Sequence, residues 1–262
     1  MAEGIGAGKS HDSPVKGHVV EAPPEAVVAS ASKLAEAAAR ALGNPLSVIV
    51  GRADMIISGE AADKHDVRAS AEIIREQATR LERLVDELRL FGEPPEPQPV
   101  RTDLFALAKG ILADIDRDAW AARLKTSVVC ESREAAWAEV DPGHAREALR
   151  RIVQNATEAM KNGGQLTVDV ARRVWQSRVE KIPQEEEWVR VLVRDAGPGI
   201  PEDQRKRLFD PYFTTKPWAD GLGLGLPIAR RLVGANGGFL TVGGKVDVGT
   251  IVRIYLPTSR DN

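Results

Sequence analysis

The most regular pattern of apolar and polar positions lies between residues 25 and 91. From about Glu25 to Ile57 the chain is rich in alanine, and Leu42, Leu46, Ile49, Ala53 and Ile56 follow at steps of four, three, four and three. Residues so spaced share one stripe of an α-helix, so a long helix with a heptad-like seam is predicted. A break over Ser58 to Asp63, containing Gly59, leads into a second run from about Lys64 to Phe91, where Ile74, Ala78, Leu81, Val85 and Leu88 repeat the spacing. Two such helices joined by a short turn form an antiparallel hairpin. A lone hairpin leaves much of its stripe in water. Two copies pairing into a four-helix bundle would cover it, so a homodimer is expected.

The stretch GEPPEPQPV, residues 92 to 100, carries four prolines and reads as a stiff interdomain linker. Beyond it the elements alternate. The pattern predicts a helix near Asp103 to Asp118, strands near Lys125 to Cys130 and Ala135 to Val140, and a helix over about Pro142 to Asn162. Strands near Gln165 to Arg172 and Trp188 to Arg194 follow, then a helix near Leu224 to Asn236 and strands at Phe239 to Gly243 and Thr250 to Leu256. This is an α+β sandwich, helices on one face of a mixed sheet, spanning residues 101 to 258. The charged stretch WQSRVEKIPQEEE, residues 175 to 187, reads as a solvated hairpin loop.

Residues 1 to 24 lack periodicity and are rich in Gly, Pro, Ser and His, the composition of a flexible tail. EGIGAGKS, residues 3 to 10, resembles a P-loop, but Glu3 stands where the first glycine belongs and no strand precedes it. It is read as tail. No sensor domain fits in this tail, so an input signal is expected from another protein or a ligand.

Composition adds exclusions. Lys plus Arg number 36 and Asp plus Glu 38, a net charge of −2, which offers no broad electrostatic footprint for nucleic acid or anionic lipid. The single cysteine, Cys130, excludes an intramolecular disulfide and is expected as a buried thiol in a reducing compartment. With no run of about 18 apolar residues and no signal-peptide segment, a soluble cytoplasmic protein without membrane contact is expected.

Four pieces of the second domain carry chemistry. DAGPGI, Asp195 to Ile200, follows the strand-like VRVLVR. A carboxylate at a strand end can accept the exocyclic amino group of adenine, and Gly197 and Gly199 let the backbone pass close to a base. LFDPYFTTK, residues 208 to 216, supplies Phe209, Tyr212, Phe213 and Lys216. In GLGLGLPIARRLV, Gly221, Gly223 and Gly225 run into a helix whose first amides form a phosphate cradle. In REALRRIVQNATEAM, residues 146 to 160, Asn155 lies among Leu149, Ile152, Ala156 and Ala159 and projects from the helix edge toward a cavity.

In this order the four pieces resemble the ATP-binding catalytic domain of sensor histidine kinases, of the wider family shared with gyrase, Hsp90 and MutL. DPGHAREALRRIVQNATEAM corresponds to its N box, DAGPGI to its G1 box, LFDPYFTTK to its F box and GLGLGL to its G2 box; GTIVRIYLP resembles its final strand. The resemblance implies ATP and Mg²⁺ as ligands. By it, Asn155 would coordinate Mg²⁺ bridging the phosphates, Asp195 would read adenine, Lys216 would belong to a lid, and Gly221, Gly223 and Gly225 would hold phosphates. Gly197, Gly199, Ile200, Phe209, Phe213 and Thr250 complete the implied nucleotide set. One departure stands out: position 151 is Arg151, where histidine kinases usually carry Asn and the hydrolytic branch a water-activating Glu. Its absence argues against a gyrase-like or Hsp90-like ATPase.

The hairpin resembles the dimerisation and phosphotransfer domain of the same kinases, whose signature reads His-Glu-hydrophobic-Arg/Lys-Asn/Thr-Pro-Leu. Aligning Asn44, Pro45 and Leu46 puts Leu42 at the hydrophobic position, Gly43 at the basic one, Ala41 at the glutamate and Arg40 at the phosphoacceptor. Transfer to histidine needs a neutral ring nitrogen with a free lone pair and a carboxylate to take its proton. A guanidinium has no acceptor atom and stays protonated at neutral pH. Autophosphorylation at position 40 is therefore excluded. Helical geometry places Arg40 with Asn44, Ser47 and Gly51 on the face away from the seam, and Asn44 could still orient a dephosphorylating water. The four histidines, His11, His18, His65 and His144, are each read as solvated. The expected partners are a second copy of the chain and a response regulator or another histidine kinase.

Overall fold

In the computed structural model the described residues are 24–60, 63–116, 123–132, 136–160, 162–176, 185–214 and 222–259. The P-loop-like segment, His11 and His18 lie outside them.

Helices α1 (Pro24–Ile57) and α2 (Lys64–Gly92) form the hairpin. Asp63 caps α2, its Oδ1 accepting from the amides of His65 and Asp66 at 2.7 and 2.9 Å. Pro45 sits inside α1 and is buried. Next to it the Ser47 hydroxyl donates to the Gly43 carbonyl at 3.0 Å, a bond internal to the helix. The seam differs from the expected one. Along α2 the covered positions include Ser70, Ile73, Ile74, Gln77, Leu81, Leu84 and Leu88, whereas Ala78 and Val85 are exposed. On α1, Leu46 is exposed as well, with Val48, Val50 and Ile57. A single hairpin covers only the flank facing its partner helix, so a stripe read as one seam is split into a covered and an open half.

After Gly92 the chain reaches β1 (Val100–Asp103), which pairs antiparallel with β3 (Trp137–Val140). Between them lie α3 (Leu104–Asp116) and β2 (Leu124–Cys130). Helix α4 (Pro142–Ala159) leads to β4 (Gly164–Gln176) and β5 (Glu185–Asp195). The one-turn α5 (Glu202–Arg205), α6 (Gly225–Ala235), β6 (Phe239–Lys245) and β7 (Gly249–Pro257) complete the order. The five-stranded sheet runs β2-β4-β5-β7-β6, parallel at β2·β4 and antiparallel elsewhere, so β5 is central. Leu166, Val168 and Val170 of β4, Val189, Val191 and Val193 of β5, and Ile254 and Leu256 of β7 project at alternate positions into one core with α3, α4 and α6. The opposite face carries the Asp169–Arg190 ion pair and an aromatic row in which Phe239 stacks on Tyr255.

Three expectations are corrected here. The stretch 175–187 is strand at both ends, Trp175 pairing with Glu186 and Gln176 with Glu185; only 177–184 fall outside the described residues. Cys130 is half-buried rather than buried, its thiol donating to the Ser132 carbonyl while burial pushes its pKa up. His144 is buried rather than solvated, 3.2 Å from the Asn236 amide through Nδ1. That amide is oriented by two other bonds, its oxygen accepting from the Asp141 N–H and its nitrogen donating to the Leu232 carbonyl. The Asn236 nitrogen thus faces His144 Nδ1 as a donor.

Asp141 ties these pieces together. Its carboxylate caps α4 through the His144 amide at 2.8 Å and accepts the Gln98 amide at 2.9 Å, anchoring the chain that enters the domain. Burial raises its pKa, but the Gln98 and His144 amides, the nearby imidazole and the Gly143 amide outweigh this and hold it below the usual carboxylate value. A lowered folded pKa contributes stability above the unfolded value that is lost as pH falls through the folded one. Asp141→Ala should cost about 1 kcal/mol at pH 7. In urea titrations across pH, that difference should shrink only below about pH 4, where the wild-type carboxylate is neutralised.

Candidate nucleotide site

The site forms where the carboxyl end of β5 meets α4 and the start of α6. Asp195 ends the central strand, buried, and its Oδ1 accepts the amides of Gly197 at 2.9 Å and Thr250 at 3.1 Å. Burial pushes its pKa up, while both amides and the Thr250 side chain pull against that shift. Two backbone donors on one oxygen hold the carboxylate in one orientation.

Asp195 lines a cavity of about 380 Å³ together with Asn155, Ile200, Phe213, Thr250 and three glycine positions, Gly199, Gly223 and Gly225. Gly199 has φ 72, and a Cβ there would lie 2.3 Å from the Lys245 carbonyl oxygen. Only glycine fits that approach. Gly223, φ 66, lies against the backbone of Tyr212 and Phe213, so the aromatic segment rests on the glycine loop. Tyr212 itself has φ 66, uncommon for a bulky residue, and its buried hydroxyl has no hydrogen-bond partner among the described residues. Burial pushes that hydroxyl's pKa up to about 12.

At the far end, α6 begins at Gly225 with no side-chain cap, so its first amides and its dipole favour an anion. A Cβ on Gly225 would lie 3.4 Å from Asn155 Nδ2, which puts the Asn155 amide beside that helix start. The cavity therefore has a buried carboxylate at one end and an amide beside a helix N-terminus at the other. A nucleobase amino group suits the first, phosphates the second. For Mg²⁺ the residues present fit as a partial set: Asn155 offers one oxygen, and Mg²⁺ usually keeps waters and substrate phosphates as its other ligands.

Some of the expected residues fall elsewhere. Gly197 spends its amide on Asp195 and does not line the cavity. Phe209 also lies off it, with the Arg230 guanidinium 5.2 Å from its ring. Lys216 and Gly221 lie outside the described residues. Arg40 and Asn44 are on α1, both exposed, Arg40 paired at 2.8 Å with Glu36 on the preceding turn. Ser47 and Gly51 are exposed on the same helix. Sequence reasoning missed Glu87, a residue of the hairpin that reaches the cavity wall. Nothing local marks it, because its partner, Arg151, is 64 residues away.

Comparison with known proteins bears on the fold and the family. The His Kinase A (phospho-acceptor) domain family matches residues 30–96, and the histidine kinase-, DNA gyrase B- and HSP90-like ATPase family matches residues 140–260. The sensor histidine kinase ZraS of Klebsiella oxytoca is 30% identical over 226 residues, 86% of this chain and 46% of that protein. Sporulation kinase C of Bacillus subtilis is 24% identical over 88% of this chain and 50% of its own length. The chain thus spans half or less of these relatives. The histidine kinase AdeS of Acinetobacter baumannii shares the fold with a TM-score of 0.60 at 19% identity, covering 84% of this chain and 98% of that structure. Full-length ShkA in complex with AMPPNP gives 0.59 at 23% identity over 74% of this chain and 39% of that one. Among the described residues no helix is long and apolar enough to cross a membrane. By these matches and this architecture, the chain belongs to the sensor histidine kinase family of two-component signalling, a His Kinase A hairpin followed by an ATPase domain of the gyrase and HSP90 type.

Proposed function

We propose that residues 101–258 bind Mg·ATP, adenine against Asp195 and phosphates between Asn155 and the start of α6, and that residues 25–91 pair with a second copy. The observation that carries the nucleotide reading is one cavity with a buried, amide-fixed carboxylate at one end and an uncapped helix N-terminus at the other. Gly197 and Phe209 act from behind, one fixing Asp195 and the other packing under Arg230; Lys216 and Gly221, which the resemblance assigns to the lid and the phosphates, lie outside the described residues. Exposed apolar side chains on both helices, Leu46 and Val50 on one face of α1 and Val85 on α2, support pairing of hairpins.

This histidine kinase does not phosphorylate itself at position 40. Arg40 occupies the acceptor position with Ala41 beside it, so nucleophile and base are both missing. Its partner is a response regulator or another histidine kinase, whose histidine could receive the phosphoryl group in a mixed dimer. Asn44 supports a second reading. It is exposed one turn beyond Arg40, where it can position water for hydrolysis of a regulator's phosphoryl group without acid–base chemistry of its own.

Asp195→Ala should weaken ATP binding about 10- to 100-fold by calorimetry; wild-type affinity in the variant would remove Asp195 from the site. Wild-type protein incubated with γ-labelled ATP should stay unlabelled, and Arg40→His/Ala41→Glu should gain label. Label on the wild type that survives acid, as a phosphohistidine would not, points to a different acceptor. For the second reading, Asn44→Ala should leave label on a phosphorylated regulator that the wild type removes.

A further inference from the structure

Arg151 is the sole cation lining the cavity among the described residues, and it is buried. It lies one turn before Asn155 on α4, so both side chains leave the helix on the same face. Its Nε donates to Glu147 of the same helix at 2.7 Å, and its Nη1 donates to Glu87 of α2 at 3.3 Å. Glu87 also lines the cavity. One guanidinium thus joins the nucleotide cavity to the hairpin.

The two carboxylates are not equivalent. Glu147 also receives both Arg150 donors at 2.8 Å, and although burial raises its pKa, Arg150 and Arg151 hold it below the usual value. Glu87 has the longer bond and belongs to another element. A planar guanidinium with five N–H donors suits phosphate oxygens better than a single carboxylate oxygen. Phosphates arriving beside Asn155 bring several negative charges next to Glu87 in a partly buried site, where like-charge repulsion is weakly screened. A second clamp sits at the end of α2, where Arg231 of α6 donates to the carbonyls of Phe91 and Gly92 and lies 5.6 Å from the Phe91 ring.

We propose that Arg151 is a nucleotide-operated joint: the phosphates of a bound nucleoside triphosphate take its guanidinium from Glu87 and loosen α2 from the ATP-binding domain, leaving the Arg231 clamp as pivot. The proposal rests on the nucleotide reading above. Because coupling is reciprocal, docking of Glu87 on Arg151 opposes triphosphate binding to the same extent.

The test compares ATP with adenosine, which shares the base but has no phosphate. Glu87→Gln should bind ATP about five- to tenfold more tightly than wild type, with the gain confined to the phosphorylated ligand. In an Arg151→Asn background, Glu87→Gln should give a smaller gain in ATP affinity than in the wild type, the part due to lost repulsion alone, and an equal gain in both backgrounds overturns the joint. Hydrogen exchange of the last two turns of α2 should speed up with ATP in the wild type, not with adenosine, and should be nucleotide-independent in Glu87→Gln. An unchanged ATP affinity in Glu87→Gln, an equal gain for adenosine, or exchange in α2 that ignores ATP overturns the joint while leaving the nucleotide site standing. If neither ligand binds the wild type, the nucleotide reading falls and takes the joint with it.

Discussion

A carboxylate buried at the end of a central strand must be met by donors, and the way Asp195 is met organises the domain around it. Its two backbone donors come from separate elements, Gly197 just after β5 and Thr250 at the start of β7, 55 residues on. Satisfying the carboxylate thus bends the loop after β5 back on itself and fixes how β7 enters the sheet. The same closeness leaves no room on Gly249, where a Cβ would lie 2.0 Å from the Asp195 carbonyl oxygen. The proposed recognition of a base and the closure of the sheet share one buried carboxylate.

The second polar joint works at the other end of α4. Asn236 takes the Asp141 amide, holds His144 and bonds its own helix, so the end of α6 and the beginning of α4 are locked by neutral hydrogen bonds. At the opposite end of these helices, where the cavity opens, ionic contacts replace neutral ones: Arg151 with Glu147 and Glu87. A neutral network inside a core has one satisfied arrangement, whereas an ion pair at a cavity wall can exchange one anion for another. The rigid end of the domain and its responsive end are built from different chemistry for that reason.

Arg40 belongs to neither network. It is exposed and paired along its own helix with Glu36, a contact of the kind that contributes little to stability. The scaffold around it is intact: Leu42 packs against the core and Pro45 is buried.

Elements with a strong repeat were legible in the chain alone. The two long helices, the strands of the sheet and α6 follow from periodicities of 3.6 and 2, and the boxes around Asn155, Asp195 and Gly223 were placed by order and residue type. The short β1 and the single turn of α5 were not legible, because four residues carry too little periodicity to stand out. Part of the expected seam, Leu46, Ala78 and Val85, stays open in the single hairpin because one stripe of apolar residues serves two neighbours, and the sequence does not say which flank meets which. His144, Phe209 and Glu87 were misjudged or missed for a related reason. Burial, ring stacking and ion pairing depend on partners dozens of residues away, and proximity across that separation is created by packing. The sequence by itself determined the family and the element types, since these depend on local pattern and residue chemistry. Only the tertiary structure decided that Arg151 faces both the cavity and the hairpin, because that position exists only once the end of α2 is laid against the ATP-binding domain.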